Sequence, residues 1–111
     1  MSKYIASISI VTHNSEKYIG NLLDSLHANL KDTEAQIFVV DNASTDDTLK
    51  IIREKNYKVS VIANERNVGF GAGHNIVINQ IDSKYHFCIN PDVVIDSDII
   101  SEMMQYIDKN D

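Results

Sequence analysis

Four short clusters of carboxylate, carboxamide and hydroxyl side chains hold most of the chemistry open to this chain. They are Thr12-His13-Asn14, Asp41-Asn42-Ala43-Ser44, the glycine-rich run Asn67-Val68-Gly69-Phe70-Gly71-Ala72-Gly73-His74-Asn75, and Asn90-Pro91-Asp92. Hydrogen-bonding groups of this kind suit a polar small ligand. The four histidines show no His-x-x-x-His spacing, so they do not form a metal set. His27 falls within a helical pattern and His86 within a strand, where structural roles are expected. His13 and His74 fall beside the polar clusters and could meet a phosphate. Cys88 sits inside an apolar run and is expected to be a buried, inert thiol.

The elements between these clusters decide whether they meet. Ile37 to Val40 is an unbroken apolar run, which fits a strand buried on both faces. It stops at Asp41-Asn42. Ser44 and Asp47 then form a Ser-x-x-Asp pattern, the mark of a capped helix start. A helix is expected from about Thr45 to Lys55, with Asp46 and Asp47 in its first turn, where carboxylates suit the dipole. Ile5 to Val11 reads as the first strand. Ile19, Leu22, Leu23, Leu26 and Leu30 form a core-facing helical stripe, with Asn14 or Ser15 as its cap. Val59 to Ala63 and Tyr85 to Ile89 read as further strands. A helix from about Ala72 to Ile81 lies between them. A last helix bears Ile99, Ile100, Met103 and Ile107, with Asp96 or Ser97 to cap it.

Strands alternating with helices mean βαβ units and a mostly parallel sheet. In such sheets ligands bind just beyond the carboxyl ends of the strands. Each polar cluster follows a strand, so all four are expected on one rim. Plain alternatives stand beside each role: a turn cap for Asp41, a strand-end turn residue for Thr12, a helix entry for the glycines, a Pro-Asp turn for Asp92. Gly69, Gly71 and Gly73 are two apart and do not match the G-x-G-x-x-G dinucleotide fingerprint.

Composition narrows the classes. The 111 residues are enough for one domain, and 43% are hydrophobic, enough to fill one core. The formal net charge is −6, with no basic cluster, which argues against a nucleic-acid partner. An anionic ligand would need a metal or backbone amides to offset that field. A single cysteine permits no internal disulfide and favours a reducing compartment. No run approaches the roughly 20 apolar residues of a transmembrane helix.

The wording and order of the motifs VTHN, VVDNASTDDT, NVGFGAGHN and NPDV resemble the nucleotide-binding half of the family-two glycosyltransferases. The last two look most like the rhamnosyltransferase branch. The resemblance covers essentially the whole chain. It implies a GT-A fold, a Rossmann-like three-layer α/β/α sandwich. It implies transfer of a sugar, with inversion, from a nucleoside diphosphate sugar to an acceptor hydroxyl in cell-surface polysaccharide synthesis. The acceptor would be a saccharide or lipid-linked saccharide.

Carried over residue by residue, the resemblance makes Asp41 the holder of the base and puts Thr12 in the same pocket. Asn14, Asn42, Asn67, Gly71, Asn75 and Asn90 are further donor-binding candidates. Asp92 would hold Mn²⁺ or Mg²⁺ against the diphosphate, with the uncharged Asn90 where the family's motif has an Asp. The family's general base comes from a segment that would lie beyond Asp111. The chain is therefore expected to be the donor half of a truncated transferase, cytoplasmic or peripheral at the inner face of the membrane. It is expected to self-associate through an exposed sheet surface. The alternatives are a non-catalytic nucleotide-sugar-binding module or another α/β nucleotide binder.

Overall fold

The computed structural model describes residues 4–30, 34–95 and 99–110. Strand β1 (Tyr4–Thr12) is followed by α1 (Ile19–Asn29), β2 (Ala35–Asn42), α2 (Thr48–Lys55) and β3 (Ser60–Asn64). Then come α3 (Phe70–Ile76), a 3₁₀ turn (Ile78–Gln80), β4 (Ser83–Ile89) and α4 (Ile99–Asn110). The four strands form one sheet in the order β3-β2-β1-β4, and every pairing is parallel.

That order has a mechanical consequence. From β1 the chain steps outward to β2 and β3, then returns past β1 to add β4. Right-handed crossovers put helices on opposite faces when the direction of winding reverses. The side-chain alternation of β1 records this. Ala6, Ile8 and Ile10 pack with Leu22, Leu23, Leu26, Ile52 and Ile100, from α1, α2 and α4. Val11 joins Phe38, Val40 and Val77 on the α3 side. The molecule is thus the expected three-layer sandwich. The reversal of winding beside β1 opens the sheet's rim there, where ligands sit in folds of this type.

Glycine matters at two points of α3. Gly69 has φ +86°, a left-handed conformation that starts the helix. At Gly73 a Cβ would lie 2.9 Å from both γ-carbons of Val11, so only glycine lets α3 settle this close to β1. On the other face, Lys55 Nζ and the Tyr57 hydroxyl both donate to Asp24, at 2.8 and 2.6 Å. His27 stacks on Tyr57, with ring centroids 4.4 Å apart, so its role is structural.

Several boundaries differ from expectation. α1 begins at Ile19 rather than near Asn14, and its first amides turn back onto the Ser15 carbonyl. α2 begins at Thr48, so Asp46 and Asp47 precede the helix. Ser44 caps nothing there. Asp46 accepts the Thr48 amide at 3.0 Å instead. α3 ends at Ile76 and continues only as a 3₁₀ turn. Asp96 and Ser97, expected to cap α4, lie outside the described residues. Cys88 is exposed, because it is on the outer strand β4 and faces the side that α3 leaves partly open.

Candidate functional site

The C-terminal ends of β1 and β2 are welded together. Thr12 and Asp41 stand opposite each other in the register and both are fully buried. The Thr12 hydroxyl donates to Asp41 Oδ1 at 2.6 Å. Ser44 donates its hydroxyl to the same oxygen at 2.6 Å and its amide to Oδ2 at 3.0 Å. The expected role of Asp41 as a base contact would call on the acceptor site that these bonds leave on Oδ2, in a carboxylate that is fully buried here. The carboxylate organises the turn after β2. The Thr12 hydroxyl is spent on the same bond, which leaves the expected contact through its backbone untouched.

The loops beyond these strands are zipped together as well. Asn14 takes a left-handed φ of 50°. Its amide donates to Ser44 Oγ at 2.8 Å, and its Oδ1 accepts the Thr45 amide at 2.8 Å. The Ser15 amide donates to Thr48 Oγ1 at 2.8 Å, and the Glu16 amide to Asp46 Oδ2 at 3.2 Å. Burial pushes the Asp46 carboxyl up. The hydroxyl and amide of Thr48, with the Glu16 amide, outweigh that and hold it below the usual carboxylate range. Asn14 is thus a loop clamp, with its side-chain carbonyl accepting from Thr45.

One residue further on, the chemistry changes. Asn42 is 2% exposed and lines a cleft of about 230 Å³ with Val11, His13, Asn67, Gly69 and Phe70. Its Nδ2 donates to the Gly69 carbonyl at 3.1 Å, and its Oδ1 accepts from Asn64 Nδ2 at 2.8 Å. His13 Nδ1 lies 2.6 Å from the Asn42 carbonyl, which makes that nitrogen the donor. Asn67 Oδ1 accepts the Gly69 amide at 2.8 Å. Two carboxamides and an imidazole thus stand, each hydrogen-bonded in place, in a cleft whose remaining lining is Val11, Gly69 and Phe70. A mostly apolar cleft with a few fixed polar groups suits a flat heterocycle.

The other sequence candidates spread along the same rim. Gly71 and Asn75 are exposed on α3. Asn90 and Asp92 are exposed in the turn after β4, which closes with the Val93 amide donating to the Asn90 carbonyl at 3.2 Å. Asn90 also borders an apolar cavity of about 420 Å³ with Phe87, Ile89, Val93, Ile100 and Met103. Because Ile10 pairs with both Val39 and Ile89, Asp41 and Asp92 lie beyond the same edge of the sheet.

Sequence reasoning missed a second polar network, under α3. Ser7 and Ser9 are fully buried on the α3 side of β1. Ser9 Oγ lies 2.6 Å from His74 Nδ1 and 3.1 Å from His86 Nε2, and Ser7 Oγ lies 2.6 Å from His86 Nδ1. His74 therefore anchors α3 to the sheet through Nδ1. Burial lowers the affinity of His74 for protons. Burial, and then the charge of His74, lower that of His86. The signal was present in sequence: two serines alternate with isoleucines in a core strand.

A family model described as glycosyl transferase family 2 matches residues 7–111. The poly(ribitol-phosphate) beta-N-acetylglucosaminyltransferase TarS of Staphylococcus aureus is 30% identical over 108 residues, 94% of this chain and 19% of that protein. The chain thus spans about a fifth of that relative. The crystal structure of a TarS fragment in complex with UDP-GlcNAc superposes with a TM-score of 0.82 at 32% identity, over 95% of this chain and 31% of that one. The Pyrobaculum calidifontis mannosyltransferase PcManGT, in complex with GDP-Man and Mn²⁺, shares the fold with a TM-score of 0.76 at 19% identity, over 86% of this chain and 30% of that one. With the family model spanning nearly every residue, the chain belongs to glycosyl transferase family 2.

Proposed function

We propose that this chain binds a nucleoside diphosphate sugar and forms the donor half of an inverting sugar transferase. One observation carries the reading. The cleft at Asn42 opens on the rim of the sheet that also bears Asp92, in a fold shared with a UDP-GlcNAc complex at 32% identity. Asn42, His13 and Asn67 would receive the base. A uracil fits this wall because it presents one N–H between two carbonyl acceptors. Asn90 and Asp92 would lie towards the diphosphate, and the sugar would extend past Gly71 and Asn75.

The residues at the metal position fit a shared divalent ion. Among the described residues no group of three His, Cys, Asp or Glu side chains could hold a metal. Mg²⁺ and Mn²⁺ do not require one. Mg²⁺ keeps several waters and binds through one or two carboxylates together with substrate phosphates. Asp92, an exposed carboxylate in the turn after β4, would take that task, with Asn90 as a neutral oxygen donor. The ion would neutralise charge developing on the departing diphosphate. In a chain of net charge −6, it would also admit an anion that the protein's field repels.

The acceptor would be a hydroxyl of a saccharide or lipid-linked saccharide in a cell-surface polymer. A uridine diphosphate sugar is the favoured donor, with dTDP-rhamnose as the competitor that the NPDV wording raises. Calorimetric titration with UDP-GlcNAc, dTDP-rhamnose and GDP-mannose, with and without Mn²⁺, tests the reading. Binding of a pyrimidine nucleotide sugar that strengthens with Mn²⁺ supports it. Silence towards all three donors sinks it.

A further inference from the structure

Two imidazoles share one hydroxyl beneath α3. His74 of α3 and His86 of β4 both reach Ser9 of β1, with Nδ1 at 2.6 Å and Nε2 at 3.1 Å. A hydroxyl has one proton to give and two acceptor sites. With both rings neutral, Ser9 accepts from one and donates to the other. His86 Nδ1 continues the chain to Ser7 at 2.6 Å, and Ser7 to Ser83 at 2.8 Å. One added proton only fixes the direction of these bonds. A second does more. With both rings charged, Ser9 must accept from both, and its own proton can turn only to Cys88 Sγ, at 3.5 Å. Two cations then stand against one oxygen.

Few other charges face the pair. The strands β1 and β2, the rest of α3 and the 3₁₀ turn bring none to this side of the sheet. From β4 come Cys88, which is exposed, and Lys84, whose Nζ lies 3.6 Å from Asp108 of α4. Asp82, just before β4, is exposed. His13 is turned to the Asn42 carbonyl. Among the described residues no carboxylate bonds either ring, so nothing offsets a second charge. The helix above them is only seven residues long. Gly69 and Phe70, at its start, line the cleft, and the Gly69 carbonyl accepts from Asn42. The cleft wall therefore rides on the helix that His74 ties down.

We infer that His74, Ser9 and His86 form a proton-sensitive latch on α3: the helix is held to β1 while at most one ring is charged, and loosens, with the cleft wall it carries, when both are. Burial disfavours both charges, and the charge of His74 further disfavours that of His86, so the latch opens below pH 6.5. It acts on α3 whether or not the cleft takes a nucleotide.

Amide hydrogen exchange read by NMR at pH 7.5 and 5.0, corrected for the intrinsic effect of pH, tests the latch on the whole chain. On acidification, amides from Gly73 to Val77 should lose protection roughly tenfold more than those from Leu22 to Leu26 of α1, the worth of about one hydrogen bond. An equal loss in both helices is global acid unfolding and overturns the latch. His86→Gln and His74→Gln each leave one imidazole, so no charged pair can form. In either folded variant the excess loss in α3 should vanish, and its persistence overturns the latch. If neither variant folds, the comparison of α3 with α1 in the wild-type chain decides.

Discussion

Thr12 and Asp41 face each other across the β1–β2 pair, and the hydroxyl of one closes on the carboxylate of the other at 2.6 Å with neither exposed. Such a pair makes Asp41 a keystone of the rim. Asp41→Ala strands the Thr12 and Ser44 hydroxyls and the Ser44 amide. Hydrogen bonds to a charged group contribute about 1.5–3 kcal/mol. The variant should therefore lose about 3 kcal/mol in urea denaturation. A loss under about 0.5 kcal/mol would show that the turn holds without it.

Gly71 and Gly73 offer an internal control. A Cβ on Gly73 meets Val11 at 2.9 Å, whereas one on Gly71 meets nothing within 4 Å. Overpacking costs about 1–3 kcal/mol, while a helical Gly→Ala at an open site gains about 0.5–1 kcal/mol. Gly73→Ala should unfold at lower denaturant than wild type and Gly71→Ala at higher. Equal midpoints would contradict the close packing of α3 on β1.

The His74–Ser9–His86 network predicts acid sensitivity. Both imidazoles titrate below their ordinary value of 6.5 in the folded chain. The unfolded chain therefore binds more protons just below pH 6.5. Stability is then full above that pH and falls as pH drops from 6.5 through the lowered folded values. Denaturation midpoints at pH 7.5 and 5.5 measure this. In His86→Gln the acid loss should shrink. An identical acid loss in that variant would assign the effect elsewhere.

Asp92 separates metal from nucleotide. In Asp92→Asn, Mn²⁺ should strengthen donor binding roughly tenfold less than in wild type, about 1.4 kcal/mol. Affinity without metal should stay level. Calorimetry with and without Mn²⁺ reads both, and an undiminished Mn²⁺ effect would move the ion to other ligands.

Sequence carried the fold well because its periodicities are strong. The apolar run Ile37–Val40 and the stripe from Ile19 to Leu26 leave few arrangements other than a parallel sheet with covering helices. The rim was legible as a place, since each cluster follows a strand. Individual roles were not. That Asp41 bonds the Thr12 hydroxyl depends on the two lying opposite each other, a matter of register between residues 29 positions apart. Cys88 was misjudged because an apolar run does not reveal that its strand is outermost.

The bonds that join residues 14–16 to residues 44–48 turn two separate turns into one slab. Chain freedom in that slab is surrendered when the protein folds, well before any visitor arrives. A donor entering the neighbouring cleft would find the rim beside it already set. Its encounter should then show little of the unfavourable entropy that ordering a floppy loop would add.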